Sequence, residues 1–175
     1  MKVKDLINIG IFSAIYFVIT TVIAMLGFIP IFLPLPAVLV PLLGGVPFML
    51  FLTKVKTFGM IWIMSVIMGI MMLLTGLLAE LIYRSGRYKS TSKVVLTCGV
   101  FSMWVAANYL PLFFAAEKYW ASRQNFGKEY IDSVTKLMPA WMCPVLFAAA
   151  FVCGIIGAPA GKKLLKKHFR KAGMA

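Results

Sequence analysis

Acidic side chains are scarce in this chain: five Asp and Glu residues and one histidine in 175. General acid–base catalysis and metal binding need such groups in converging pairs or clusters. No GxSxG, HExxH, Walker or paired-carboxylate arrangement occurs. The composition therefore reads as non-enzymatic, with no cofactor and no metal. His168 sits in a basic tail between Lys167 and Phe169 and reads as a solvated interfacial residue. Cys98, Cys143 and Cys153 lie inside apolar runs without C-x-x-C spacing, so they read as small apolar side chains rather than disulfide or metal partners.

Charge of either sign is missing from four long runs, Leu6–Thr53, Thr57–Ala79, Val94–Ala116 and Leu137–Gly161. Hydrophobic residues make up 62% of the chain and mean hydropathy is +0.94, which excludes an ordinary soluble domain. A hydrocarbon core about 30 Å thick needs roughly 20 apolar helical residues, and each run is long enough. The net charge of +13 comes from 18 Lys and Arg residues in short clusters between the runs. Such clusters report topology and anionic headgroups rather than nucleic acid. The start, with Lys2 and Lys4 before Leu6–Ile29, lacks the short core and small-residue exit of a cleaved signal, so it reads as a retained first span.

The expected fold is an all-α membrane protein: one domain, a compact bundle of six transmembrane helices, with helices 3 and 4 short. Spans fall at about 5–28, 37–53, 57–73, 76–88, 93–116 and 139–161, with an outer amphipathic segment at 117–138 and a basic tail at 162–175. Pro30, Pro34 and Pro36 predict an extended or looped connection after the first span. Pro41, Gly44, Gly45 and Pro47 predict a kinked or locally unwound second helix that walls a cavity. As one straight helix, 57–84 would be about 42 Å long and would carry later basic clusters outside. A turn near Thr75–Gly76 instead returns both clusters inside, placing fourteen of the 18 basic residues and both termini in the cytoplasm.

Several residues stand out as functional candidates. Glu80 is the one acid near an apolar run, and an i,i+4 pair with Arg84 accounts for it. Gly10 and Ala14, with Ser13 beside them, form a small-xxx-small pair of the kind that lets membrane helices approach closely, within the bundle or against a partner. Met60, Met64, Met68 and Met72 form a stripe suited to packing or lipid contact. Trp104, Asn108, Tyr109, Trp120, Asn125 and Trp141 gather toward the outer side. Interfacial aromatics form belts, but an amide such as Asn108 inside an apolar helix needs a partner. Aromatic faces with a few amides suit a planar, vitamin-like solute, neutral or weakly anionic.

Three stretches carry a family resemblance: Lys2-Val-Lys-Asp-Leu-Ile-Asn-Ile-Gly-Ile-Phe-Ser-Ala14, Leu78-Ala-Glu-Leu-Ile-Tyr-Arg-Ser-Gly-Arg-Tyr-Lys-Ser90, and Gly161-Lys-Lys-Leu-Leu-Lys-Lys-His-Phe-Arg-Lys-Ala-Gly173. Over nearly its whole length the chain resembles the Trep_Strep group of integral membrane proteins, assigned to the substrate-binding (S) subunits of energy-coupling factor transporters. The resemblance implies a bacterial cell-membrane protein that captures a micronutrient from outside. A transmembrane coupling subunit and two cytoplasmic ATPases then drive its release inward. In such subunits a small-xxx-small pattern early in helix one meets the coupling subunit. Gly10 and Ala14 match it, with glycine in place of the usual first alanine. The chain departs from the family where Met72-Leu-Leu-Thr-Gly76 runs almost directly into Leu77-Leu-Ala-Glu80, about a dozen residues short. Either the outer loop is shortened or the pocket is impaired. The rival reading is a self-contained small transporter or channel working as a homo-oligomer, with the methionine stripe and the tail as protomer contacts.

Overall fold

The computed structural model describes residues 1–88, 90–123 and 125–164, and among these it is all helix and turn, with no strand. The tail 165–175, including His168 and most of the third resemblance stretch, lies outside the described residues. Three helices are long and apolar enough to cross a bilayer: α1 (Val3–Ala24, extended by a 3-10 turn to Phe28), α2 (Pro36–Lys54) and α10 (Met142–Leu164). They belong to an all-α membrane bundle.

Helix α1 starts where the Asp5 carboxylate accepts the Lys2 backbone N–H at 2.7 Å, satisfying one donor that a helix start leaves open. Its Ile9, Ser13, Tyr16, Thr20 and Ile23 face inward, while Ile7, Ile11, Val18 and Val22 stay exposed. One stripe of this apolar helix is thus buried by protein and the rest is left for lipid or a partner. The proline cluster that follows is not extended. Pro30–Phe32 forms a 3-10 turn, and Pro36 occupies the first position of α2, where its missing N–H costs nothing.

Helix α2 is the central element, and more of it is buried than of α1 or α10. Of the kink or local unwinding expected there, the unwinding is absent, and the helix runs unbroken through Pro41 and Pro47. Its glycines serve close approach instead. A Cβ on Gly45 would stand 3.3 Å from the Gly157 backbone of α10, and one on Gly157 would stand 2.8 Å from the Pro41 carbonyl oxygen. That carbonyl is the partner of the helix hydrogen bond Gly45 would make, so the two helices meet backbone to backbone, as small residues permit in lipid. One turn further along the same face of α2, Phe48 stacks on Phe101 of α5 (Thr91–Ser102) with ring centroids 3.9 Å apart.

Between Lys56 and Arg84 the chain does double back, but not at Thr75–Gly76. Helix α3 (Met60–Met68) ends at Gly69, whose φ of +128° lies in the region open chiefly to glycine, and α4 (Ile70–Ser85) returns from there. Residues 73 and 76, expected to end one span and begin the next, are both interior to α4. Gly76 is a packing glycine, because a Cβ there would overlap the Ser65 side chain. At 9 and 16 residues, α3 and α4 are about 13 and 24 Å long, each shorter than the hydrocarbon core.

The expected span 93–116 is likewise segmented. It consists of α5, α6 (Trp104–Ala107) and α7 (Leu110–Phe114), with non-helical residues at Met103 and Asn108–Tyr109. Pro111, lacking an N–H, sits at the start of α7, where none is needed. Then come α8 (Ala116–Ala121) and α9 (Lys128–Leu137). Helix α9 is amphipathic as its spacing predicts, burying Val134, and Met138 just past its end, while Glu129, Asp132 and Lys136 face out.

These contacts define two ends. At one, the Phe12 and Phe51 rings lie 5.7 Å apart and the Tyr83 hydroxyl donates to the Leu52 carbonyl at 2.8 Å. This basic end gathers Lys2 and Lys4, Lys54 and Lys56, and Arg84 and Arg87. At the opposite, capped end, α9 lies over the close of α1, its Tyr130 hydroxyl donating to the Gly27 carbonyl.

Of the packing or lipid contact expected of the methionine stripe, packing holds: Met60, Met64 and Met72 are buried and Met68 partly so, although the turn at Gly69 puts Met72 on α4 and the other three on α3. One expectation is revised: Glu80 makes no close pair with Arg84. Its Oε2 accepts the backbone N–H of Ile61 at 2.8 Å and of Trp62 at 3.3 Å, while the Arg84 guanidinium lies 5.0 Å from the Phe58 ring centroid. Glu80 caps the start of α3, where the helix's own Gly59 has no side chain to do so.

Candidate functional site

The capped end holds a cavity of about 340 Å³ between α1, the start of α2, α6 and α8. Thr20 and Thr21 contribute from α1, Pro36 and Val40 from α2, and Trp104, Asn108 and Tyr109 from α6 and the turn after it. A second hollow of about 330 Å³ adjoins it and shares Ala24, Gly27, Leu33, Tyr119 and Arg123. Trp120, Phe126 and Tyr130 extend the aromatic wall there. Together the two spaces have the size and lining of a small-molecule site: mostly apolar and aromatic, with a few polar groups.

Local chain behaviour positions each side chain. Because α6 ends at Ala107, Asn108 and Tyr109 leave the helix and face the cavity. Asn108 Nδ2 donates to the Trp104 carbonyl at 2.9 Å, so its Oδ1 remains as an acceptor. The Tyr109 hydroxyl donates to the Leu33 carbonyl at 2.7 Å, tying the turn after α6 to the proline turns before α2. Trp104 Nε1 donates to the Tyr16 hydroxyl at 3.2 Å, which fixes the indole plane against α1. The Phe126 and Tyr130 rings stack at 4.6 Å, and Trp120 stands edge-on to both. Burial and the neighbouring Tyr119 raise the proton affinity of the Tyr130 hydroxyl, which keeps it a donor to Gly27.

Of Trp104, Asn108, Tyr109, Trp120 and Trp141, expected to bind solute, the structure brings four together: Trp104, Asn108 and Tyr109 line the first cavity and Trp120 the second. Trp141 does not join them. It is 65% exposed at the turn before α10, the position of an interfacial anchor. Asn125 is exposed and lines neither space. Sequence reasoning missed Thr20, Thr21, Tyr119 and Arg123. The Tyr119-x-x-x-Arg123 spacing was the available signal, and in the structure the guanidinium lies 4.0 Å from the Tyr119 ring centroid.

The three small residues on α1 divide. Gly10 and Ala14 are exposed, and a Cβ on Gly10 would meet nothing within 4 Å, so neither serves packing inside this chain. Ser13, expected beside them at the same surface, is 3% exposed and points into the bundle. It is one helical position out of step with the Gly10–Ala14 face. Among the described residues no group of His, Cys, Asp and Glu could hold a metal ion, and Cys98, Cys143 and Cys153 are unbridged.

Comparison with curated proteins and with solved structures returned no match. The sequence model described as "Hypothetical bacterial integral membrane protein (Trep_Strep)" matches residues 3–171. A bundle with long apolar helices that matches this model over nearly its full length belongs to the Trep_Strep family of bacterial integral membrane proteins.

Proposed function

We propose that the chain is a non-enzymatic substrate-capture subunit of an energy-coupling factor importer for a small, vitamin-like solute. The observation that carries this reading is the placement of one aromatic cavity at the end of the bundle opposite the basic clusters. By the positive-inside rule the basic end is cytoplasmic. The chain is then multi-pass with both termini inside, and the cavity opens outward, where a captured solute enters. The α3–α4 hairpin takes the place of the third and fourth passages, with its turn at Gly69. The exposed Gly10–Ala14 face supplies a smooth patch near the cytoplasmic end of α1 for a transmembrane coupling subunit, which joins the capture subunit to two ATPases.

The homo-oligomeric transporter loses one of its two expected contact surfaces, because Met60, Met64 and Met72 are spent on internal packing. Affinity purification of the tagged chain from its native membrane tests the choice. Isolation with a transmembrane partner and two ATPases, lost in the Gly10→Leu/Ala14→Leu double variant, is the expected result. Isolation of the chain alone, together with ATP-independent solute uptake in liposomes, defeats the reading.

A further inference from the structure

We propose that the solute is an aromatic oxyanion whose carboxylate or phosphate is gripped by Arg123 at the rim shared by the two hollows. This deepens the capture reading and rests on it. Among the described residues Arg123 is the one charged side chain lining either space. The acids of the same outer segment, Glu117, Glu129 and Asp132, line neither.

The guanidinium is held in place but not neutralised. It lies over the Tyr119 ring at 4.0 Å, and its Nη1 reaches the Tyr119 carbonyl and the Ser122 hydroxyl only at 3.5 and 3.4 Å. No carboxylate meets it among the described residues. A guanidinium has five N–H donors in a fixed fork, so most of this fork is unspent, and a fork matches the two oxygens of a carboxylate or phosphate.

Several other donors around the cavity are already committed to protein acceptors. Thr20 donates to Phe17, Trp104 to Tyr16, Tyr109 to Leu33 and Tyr130 to Gly27. The Trp120 indole N–H, in the second hollow, is buried without any acceptor. The wall therefore offers donors in surplus and positive charge, and it needs a ligand that brings acceptors and negative charge. The ring faces of Trp104, Tyr109 and Tyr119 take the planar body. The free Oδ1 of Asn108 takes one donor of the solute.

The test uses the purified full chain in zwitterionic micelles. Quenching of tryptophan fluorescence is titrated with 2-naphthoate, 2-naphthyl phosphate and the uncharged 2-naphthamide. One or both anions should bind at least about tenfold more tightly than the amide. Arg123→Gln should remove that preference with thermal stability unchanged, and Arg123→Lys, which keeps charge but loses the fork, should fall between. Equal or tighter binding of the amide, unchanged anion affinity in Arg123→Gln, or no quenching by any probe overturns the proposal. Displacement of the anion by added phosphatidylglycerol assigns Arg123 to a lipid headgroup and overturns it too. The capture reading is judged separately by co-purification. A subunit that assembles with its ATPases yet prefers the amide loses only the anion, and an Arg123-dependent anion site in a chain that isolates alone loses only the importer.

Discussion

Glu80 Oε2 accepts the Ile61 backbone N–H at 2.8 Å across the α3–α4 hairpin, joining residues 19 apart in sequence. The carboxylate is 0% exposed, and its Oε1 has no partner. A buried donor left without an acceptor costs about 1–3 kcal/mol. Glu80→Gln keeps a carbonyl oxygen for Ile61, whereas Glu80→Leu removes it. The leucine variant should melt several degrees below wild type in detergent, at about 2–4 °C per kcal/mol for a chain of this size, with glutamine close to wild type. A leucine variant as stable as the glutamine one would remove the cap from the account.

Two glycines give opposite forecasts. Gly157→Ala drives a methyl to 2.8 Å from the Pro41 carbonyl oxygen and should cost about 1–3 kcal/mol of stability. Gly10→Ala meets open space and should leave the melting temperature of the isolated chain unchanged or slightly raised. Larger side chains at Gly10 should register only in the amount of coupling subunit recovered.

Within the cavity, Trp104→Ala deletes an aromatic face and should weaken 2-naphthoate binding by about tenfold. Asn108→Leu should weaken the natural solute, measured as the amount of small molecule released on denaturing the purified chain. Trp141→Ala should change neither quantity, because that ring stands at the bundle surface. An effect of Trp141 equal to that of Trp104 would move the site.

Topology is open to direct labelling. With Cys98, Cys143 and Cys153 replaced, single cysteines at Ser90 and Ser122 should react from opposite sides of the membrane. Ser122, in the capped end, should react with an impermeant maleimide added to intact cells, and Ser90 only after lysis. The reverse pattern would invert the bundle.

Long uncharged runs and amphipathic spacing made the membrane bundle and the cap helix α9 legible, because both depend on local pattern alone. The turn at Gly69 was not. Gly69 and Gly76 look alike in sequence, and only the contact of Gly76 with Ser65 shows which glycine packs and which turns. Glu80 was misassigned to Arg84 for a related reason: i,i+4 proximity is visible in a sequence, while a helix start 19 residues upstream is not. Trp104, Asn108 and Tyr109 were found because they cluster within six residues. Thr20 and Arg123 escaped because about a hundred residues separate two walls of the same hollow.

The hydroxyls of Tyr109 and Tyr130 act as two clasps, one on the Leu33 carbonyl and one on the Gly27 carbonyl. The first joins the turn after α6 to the proline turns ahead of α2, so it holds when α9 lifts from the first helix; only the Tyr130 bond breaks, at a net cost of about 1 kcal/mol, and buried Val134 is uncovered with it. Phenylalanine at Tyr130, and not at Tyr109, should therefore loosen that outer wall.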